Sequence, residues 1–314
     1  MDESTPLLLA GALTFIFGWN NSSLLIGNEL GSGTLSGREA TVLASLGMVL
    51  GAVAEGPQMT KSLGGMIYAQ PPETVVLVTL VASILLTFSL TLARIPVTFS
   101  ATMVGAFIGA VFALSTPLRV SQLEVVFSFW LIAPLATMAV TFLCYRAIRR
   151  ATSNMSLLSV DAFSRRGVGV VSLGLAYVLS ANNLGLIYGT AVGAGSQTPG
   201  AADLILVALA AVAIAGIALF GRGGVAGTVG DRLLSLTPQG VLAAFVGTIV
   251  MMWVATQFAI PISITQCLLG GMFGAAYTKK IAVVNRRLAL EVVASWLVVP
   301  AAAFVVAVVI GPLL

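Results

Sequence analysis

The chain of 314 residues has no histidine, only two cysteines, and 8% charged residues. Without histidine, Ser–His nucleophilic catalysis, histidine-ligated zinc and histidine proton relays are all excluded. Cys144 and Cys267 both lie inside apolar stretches, so they read as packing residues rather than a disulfide framework. A soluble globular chain carries roughly 25% charged residues, so water is not the main solvent for this surface. Met1-Asp2-Glu3 is acidic where a cleavable leader is basic, and the first apolar stretch therefore reads as a retained span.

What is present is apolar. Hydrophobic residues make up 58% of the chain and mean hydropathy is +1.06. A spanning helix needs about 20 apolar residues. Ten such segments are expected near 6–30, 40–58, 75–93, 96–115, 124–145, 167–192, 201–220, 239–258, 261–278 and 288–312. The fold class is all-α integral membrane, with no room for a sizeable soluble domain. The basic stretch Arg146 to Arg166 holds five arginines and divides the chain into 1–145, a cytoplasmic linker at 146–166, and 167–314.

Orientation follows from the cations. Thirteen of the 15 lysines and arginines, from Arg38 and Arg94 through Arg222, Arg232, Lys279 and Lys280 to Arg286 and Arg287, fall in the odd-numbered loops. Lys61 and Arg119 fall on the other side. The positive-inside rule places the thirteen in the cytoplasm and both termini outside, in a multi-pass protein of the cell membrane. Loop cations of this kind mark topology rather than nucleic-acid binding.

The two halves repeat each other. Phe17-Gly18-Trp19-Asn20-Asn21 is answered by Leu179-Ser180-Ala181-Asn182-Asn183, and Gly31-Ser32-Gly33 by Gly193-Ala194-Gly195. Ile95-Pro96-Val97-Thr98 is answered by Ile260-Pro261-Ile262-Ser263, and Gly56 by Gly221. Four matches in one order, at nearly constant offset, indicate duplication. Five spans per half would invert the second copy, the arrangement of secondary transporters that bind substrate at the midplane between broken or re-entrant helices.

Three kinds of residue stand out as candidate chemistry. Asn20, Asn21, Asn182 and Asn183 are mid-span amides flanked by small residues; such groups either glue helices together or bind a ligand. Thr98 and Ser100 follow Pro96, while Ser263, Thr265 and Gln266 follow Pro261. Proline belongs in a helix's first turn, so these read as helix starts whose N–H groups and hydroxyls suit an anion. Glu55, Glu29 and Glu291 are carboxyls in apolar context, and Glu55 is the candidate for proton coupling. Gly31-Ser32-Gly33 has no histidine base to make it a hydrolase turn. The glycine-rich run Gly221 to Gly230 lacks the lysine of a phosphate-cradling loop.

These paired motifs resemble the inorganic phosphate transporter (PiT) family, which includes sulfate permeases, over nearly the whole chain. The likeness extends to Thr228-Val229-Gly230, Leu236-Thr237-Pro238 and Ser295-Trp296 with Pro300. In that family the first motif reads Gly-Ala-Asn-Asp-x-x-Asn, with polar residues associated with phosphate and sodium. Here Asn21 and Asn183 replace the aspartates, and Leu24 and Leu186 replace the final asparagines. The second motif, Pro-Val-Ser-Thr-Thr-His, becomes Pro96-Val97-Thr98-Phe99-Ser100-Ala101 and Pro261-Ile262-Ser263-Ile264-Thr265-Gln266, without histidine.

The resemblance implies a secondary transporter of a tetrahedral oxyanion, phosphate or sulfate, not an enzyme and without a resident cofactor. Loss of both carboxylates weighs against sodium and toward protons as the coupling cation. Neutral amide and hydroxyl donors suit fully ionised sulfate, whereas the family itself favours phosphate. An anion channel or membrane sensor on the same scaffold is the alternative. The partners expected are the inorganic anion and membrane lipids, with no nucleic acid; a homodimer is left open.

Overall fold

The computed structural model describes residues 4–22, 24–25, 35–67, 70–93, 97–192, 199–220, 236–277 and 286–314. Glu29, Gly31 to Gly33, Arg94 to Pro96, Gly193 to Gly195, the run from Gly221 to Gly230 and Lys279 to Lys280 lie outside the described residues, as does the Glu291 side chain.

Among the described residues ten α-helices follow in order. They are α1 Ser4–Ser22, α2 Gly37–Glu55, α3 Glu73–Leu92, α4 Phe99–Ala113, α5 Val120–Ala151, α6 Leu157–Val192, α7 Pro199–Phe220, α8 Pro238–Gln257, α9 Ile264–Tyr277 and α10 Arg286–Ile310. Among the described residues the only β pairing is an isolated bridge between Ile67 and Leu118. The expected all-helical class is what the structure has, because in hydrocarbon only closed backbone hydrogen bonding is tolerated.

Among the described residues seven helical segments are long and apolar enough to cross a bilayer. Outside that set are α1 and the two shortest helices, α4 and α9. Helices α4 and α9 have 15 and 14 residues, about 22 and 21 Å at 1.5 Å per residue, against a hydrocarbon core of about 30 Å. The apolar runs at 96–115 and 261–278 are longer than their helices, because Val97-Thr98 and Pro261-Ile262-Ser263 are non-helical. Proline removes an N–H and disfavours helix in the residue before it, so each run opens with a break.

A second departure concerns the basic stretch. The residues from Arg146 to Arg166 are helical apart from a short turn at 152–156, so α5 and α6 run to 32 and 36 residues. Alanine, leucine and arginine are good helix formers. Asp161 and Arg165 add an i,i+4 ion pair at 2.8 Å, and Gln239 Nε2 donates to Thr152 Oγ1 at 3.0 Å to tie the turn to α8.

Small residues set the packing. A Cβ on Gly105 or Gly109 of α4 would strike the Pro300 or Phe304 carbonyl of α10. On Gly270 or Gly274 of α9 it would strike the Pro134 or Met138 carbonyl of α5. The second set of contacts repeats the first, displaced by 165 residues on one helix and 166 on its partner. Likewise Gly47 and Gly51 seat α2 on α6, while Gly18 and Gly216 seat α1 and α7 together. Close approach through small residues is how helices associate where lipid supplies no hydrophobic drive.

The outside is apolar, with Leu131, Leu204 and Leu297 each more than 70% exposed, as a lipid solvent permits. Inside, buried threonines satisfy themselves on the preceding turn. Thr79, Thr137 and Thr248 donate to the carbonyls of Val75, Ala133 and Ala244 at 2.6–2.9 Å.

Candidate functional site

The two breaks are held by one device used twice. At the α3–α4 connection, Asn20 Nδ2 donates to Thr91 Oγ1 at 2.9 Å, and Asn20 Oδ1 accepts from the Val97 N–H at 3.2 Å. At the α8–α9 connection, Asn182 Nδ2 donates to Thr256 Oγ1 at 3.1 Å, and Asn182 Oδ1 accepts from the Ile262 N–H at 3.4 Å. Asn182 Nδ2 also lies 3.1 Å from the Ile260 carbonyl. Thr91 and Thr256 each donate onward to the carbonyl four residues back. Each amide thus joins the end of one helix to the backbone ahead of the next, satisfying groups that the interrupted helix leaves unpaired.

The neighbouring amides face elsewhere, since consecutive helical residues lie about 100° apart. Asn21 Nδ2 donates to the Phe17 carbonyl at 3.0 Å and Asn183 Nδ2 to the Leu179 carbonyl at 3.1 Å. These contacts fix the amides: a flipped group would set oxygen against oxygen. Their oxygens therefore point outward as acceptors. Asn183 Oδ1 receives the Ser100 hydroxyl at 2.7 Å, and Ser100 Oγ also lies 2.8 Å from the Ile262 carbonyl. Asn21 Oδ1 is buried and has no partner among the described residues.

The helix starts supply the rest. Thr98 precedes α4 without a side-chain cap, and its Oγ1 is buried with no partner among the described residues. Ser263 and Thr265 share a hydrogen bond at 2.7 Å, and Gln266 Oε1 is buried without a partner among the described residues. All nine amide and hydroxyl residues singled out in the sequence are buried, none more than 8% exposed. Hydrogen bonds link α1 to the α3–α4 connection, and α6 to both α4 and the α8–α9 connection. The first-turn N–H groups of α4 and α9 have no acceptor within their own helices. Such a site offers hydroxyls, amide oxygens and backbone donors, without a formal charge on any of the nine.

Glu55 stands apart from them. It ends α2, its Oε1 accepts from Trp253 Nε1 of α8 at 3.0 Å, and its Oε2 is buried. Tyr177 of α6 lies beside it.

Three contributors were not singled out by the sequence. Thr91 and Thr256 recur at the same 165-residue offset as the prolines, which is the signal that marks them. Trp130 of α5 donates from Nε1 to the Pro261 carbonyl at 2.9 Å. Its counterpart Trp296 also sits four residues before a proline within a helix, though its Nε1 has no partner among the described residues.

Comparison with known proteins places this arrangement. The model of the phosphate transporter family matches residues 17–175 and 179–314. The chain belongs to that family. One relative, a candidate phosphate permease of Methanocaldococcus jannaschii, is 22% identical over 308 residues, covering 97% of this chain and 95% of its own. Another is the sulfate permease CysP of Bacillus subtilis, 25% identical over 283 residues, 88% of this chain and 78% of its own. A solved structure titled the sodium-dependent phosphate transporter superposes with a TM-score of 0.82 at 19% identity, over 99% of this chain and 100% of that one. That likeness establishes the fold. This family member is a multi-pass membrane protein of a transporter family.

Proposed function

We propose that this phosphate transporter family member carries a tetrahedral inorganic oxyanion across the cell membrane by alternating access. On this reading residues 1–145 and 167–314 are inverted copies of one unit, joined by the basic helical turn at 146–166. The α3–α4 and α8–α9 pairs enter as broken hairpins whose tips meet near the midplane. The recurrence of the Asn20 and Asn182 contacts and of the glycine–carbonyl contacts supports the duplication. An odd number of crossings per half supports the inversion. The cation count then puts both termini outside.

The anion sits where Asn21, Thr98, Ser100, Asn183, Ser263, Thr265 and Gln266 approach the starts of α4 and α9. Free N–H groups at helix N-termini bind anions without lysine or arginine. Asn20 and Asn182, grouped with the ligands by sequence, are better read as braces, because both ends of each amide are committed to the chain.

The single observation that carries the substrate choice is the buried, unpartnered Asn21 Oδ1, joined by Thr98 Oγ1 and Gln266 Oε1. Amides acting as donors would suit sulfate. In the structure the Asn21 and Asn183 donors are spent on backbone carbonyls and their oxygens face outward. An unpaired buried acceptor costs about 1–3 kcal/mol, so the ligand must bring hydrogen-bond donors. Phosphate carries one or two protons near neutral pH and fully ionised sulfate carries none. Phosphate is therefore the favoured substrate.

For the coupling ion we favour protons, with Glu55 as the carrier. It accepts from Trp253 on the α8 arm of the hairpin and stands beside Tyr177 of α6, so it bridges two moving parts. Sodium dependence is named for the solved relative, yet no carboxylate stands at Asn21 or Asn183 to hold a hard cation.

The test is uptake of labelled phosphate and labelled sulfate into proteoliposomes under separate proton and sodium gradients. Phosphate accumulation driven by protons is expected. Accumulation driven only by sodium overturns the coupling assignment, preference for sulfate overturns the substrate assignment, and currents without accumulation make the chain a channel.

A further inference from the structure

We propose that the turn at Met155 and the adjoining face of α6, as far as Val170, form a binding groove for an anionic phospholipid in the leaflet on the basic side. The groove has a volume of about 460 Å³ and is lined by Met155, Ser159, Phe163, Arg166, Gly167 and Val170, with Ala162. From Ser159 onward these recur at helical spacing, so they form one continuous stripe along the helix axis.

The stripe is graded in chemistry. Ser159 and Arg166 offer a hydroxyl and a guanidinium, which bind a phosphodiester by charge-assisted hydrogen bonds. Phe163 and Val170 are open apolar surface, 43% and 73% exposed, and suit an acyl chain. Arg166 is the last charged residue before the apolar run 167–192, so it stands where headgroups stand. A run of arginines alone would be a solvated face. Here Leu157 and Leu158, just before the groove, are 89% and 85% exposed, which water disfavours and a membrane interface accepts.

Charge decides the occupant. The segment from Arg146 to Arg166 carries five arginines and one aspartate, and that aspartate is paired with Arg165. Anionic lipid is attracted to such a segment by about a factor of five for each basic residue near the surface. A zwitterionic lipid gains little from it.

Native mass spectrometry of the full-length protein in neutral detergent, titrated with phosphatidylglycerol or phosphatidylcholine, tests the proposal. Wild type is expected to retain phosphatidylglycerol at least about fivefold better. Arg166→Gln should remove that preference. Ala162→Trp, at an exposed position, should block the groove from outside and remove it too, so the test stands even if the arginine variant folds poorly. Lys61→Gln, at an exposed site outside the groove, should leave the preference unchanged. Equal retention of both lipids by wild type overturns the proposal. So does unchanged preference in Ala162→Trp, displacement of the lipid by millimolar inorganic phosphate, or a dimer that Ala162→Trp dissociates without changing lipid retention.

Discussion

The Ser100 hydroxyl donates to the amide oxygen of Asn183 at 2.7 Å, across 83 positions of sequence. It fastens the start of α4 to the middle of α6, and so joins the first half of the chain to the second at the point where both carry their polar motifs. Ser100 has one proton and two acceptors within reach, Asn183 and the Ile262 carbonyl. A ligand that supplies a donor to Asn183 would release Ser100 to the carbonyl alone.

The braces and the ligands should separate by stability. Asn20→Ala and Asn182→Ala each strand a buried backbone N–H, of Val97 or Ile262, and remove one donor from a threonine hydroxyl that keeps its own bond to the carbonyl four residues back. Each should lower stability by about 1–3 kcal/mol, read as a fall in thermal unfolding temperature in detergent. Wild-type unfolding in both variants would remove the bracing role.

Helix packing makes a reciprocal prediction. Gly105→Ala and Gly270→Ala each drive a methyl group into a backbone carbonyl, of Pro300 and Pro134 respectively. Overpacking of this kind costs about 1–3 kcal/mol or more, because a backbone cannot rotate out of the way. Both variants should lose folded yield to a similar degree in size-exclusion chromatography, whereas Gly11→Ala, with open space around it, should not.

The tryptophan pair should behave unequally. Trp130→Phe leaves the Pro261 carbonyl without its donor and should cost about 1 kcal/mol. Trp296→Phe breaks no hydrogen bond among the described residues and should be near neutral. Thermal unfolding of the two variants side by side checks this.

Coupling is tested at Glu55. Glu55→Gln keeps an oxygen to accept from Trp253 Nε1 but removes the titrating carboxyl. Phosphate accumulation driven by a proton gradient should disappear, while exchange of internal for external phosphate should persist. Proton-driven accumulation at the wild-type level would move the proton site elsewhere.

Much of this architecture was legible in the sequence, because a bilayer imposes one rule on every segment. Apolar runs located the ten helices among the described residues, though only seven of these are long and apolar enough to span, and Pro96 and Pro261 marked where two of the runs open. Less legible was the division of labour within each asparagine pair. Asn20 and Asn21 are chemically identical, and only the helix phase turns one toward the break and the other away. The long extension of α5 and α6 through Arg146 to Arg166 was also hidden, since charge argues against a span but not against a helix. Glu55 was visible as a carboxyl in apolar context, yet its partner Trp253 lies 198 residues away and no local pattern pairs them.

Most direct is equilibrium binding of labelled phosphate to purified wild type, Asn21→Ala and Asn183→Ala, with folding checked by thermal unfolding. If one anion is shared by the two halves, each single variant loses binding as completely as the double variant while remaining folded. Wild-type affinity in either single variant would contradict a shared site.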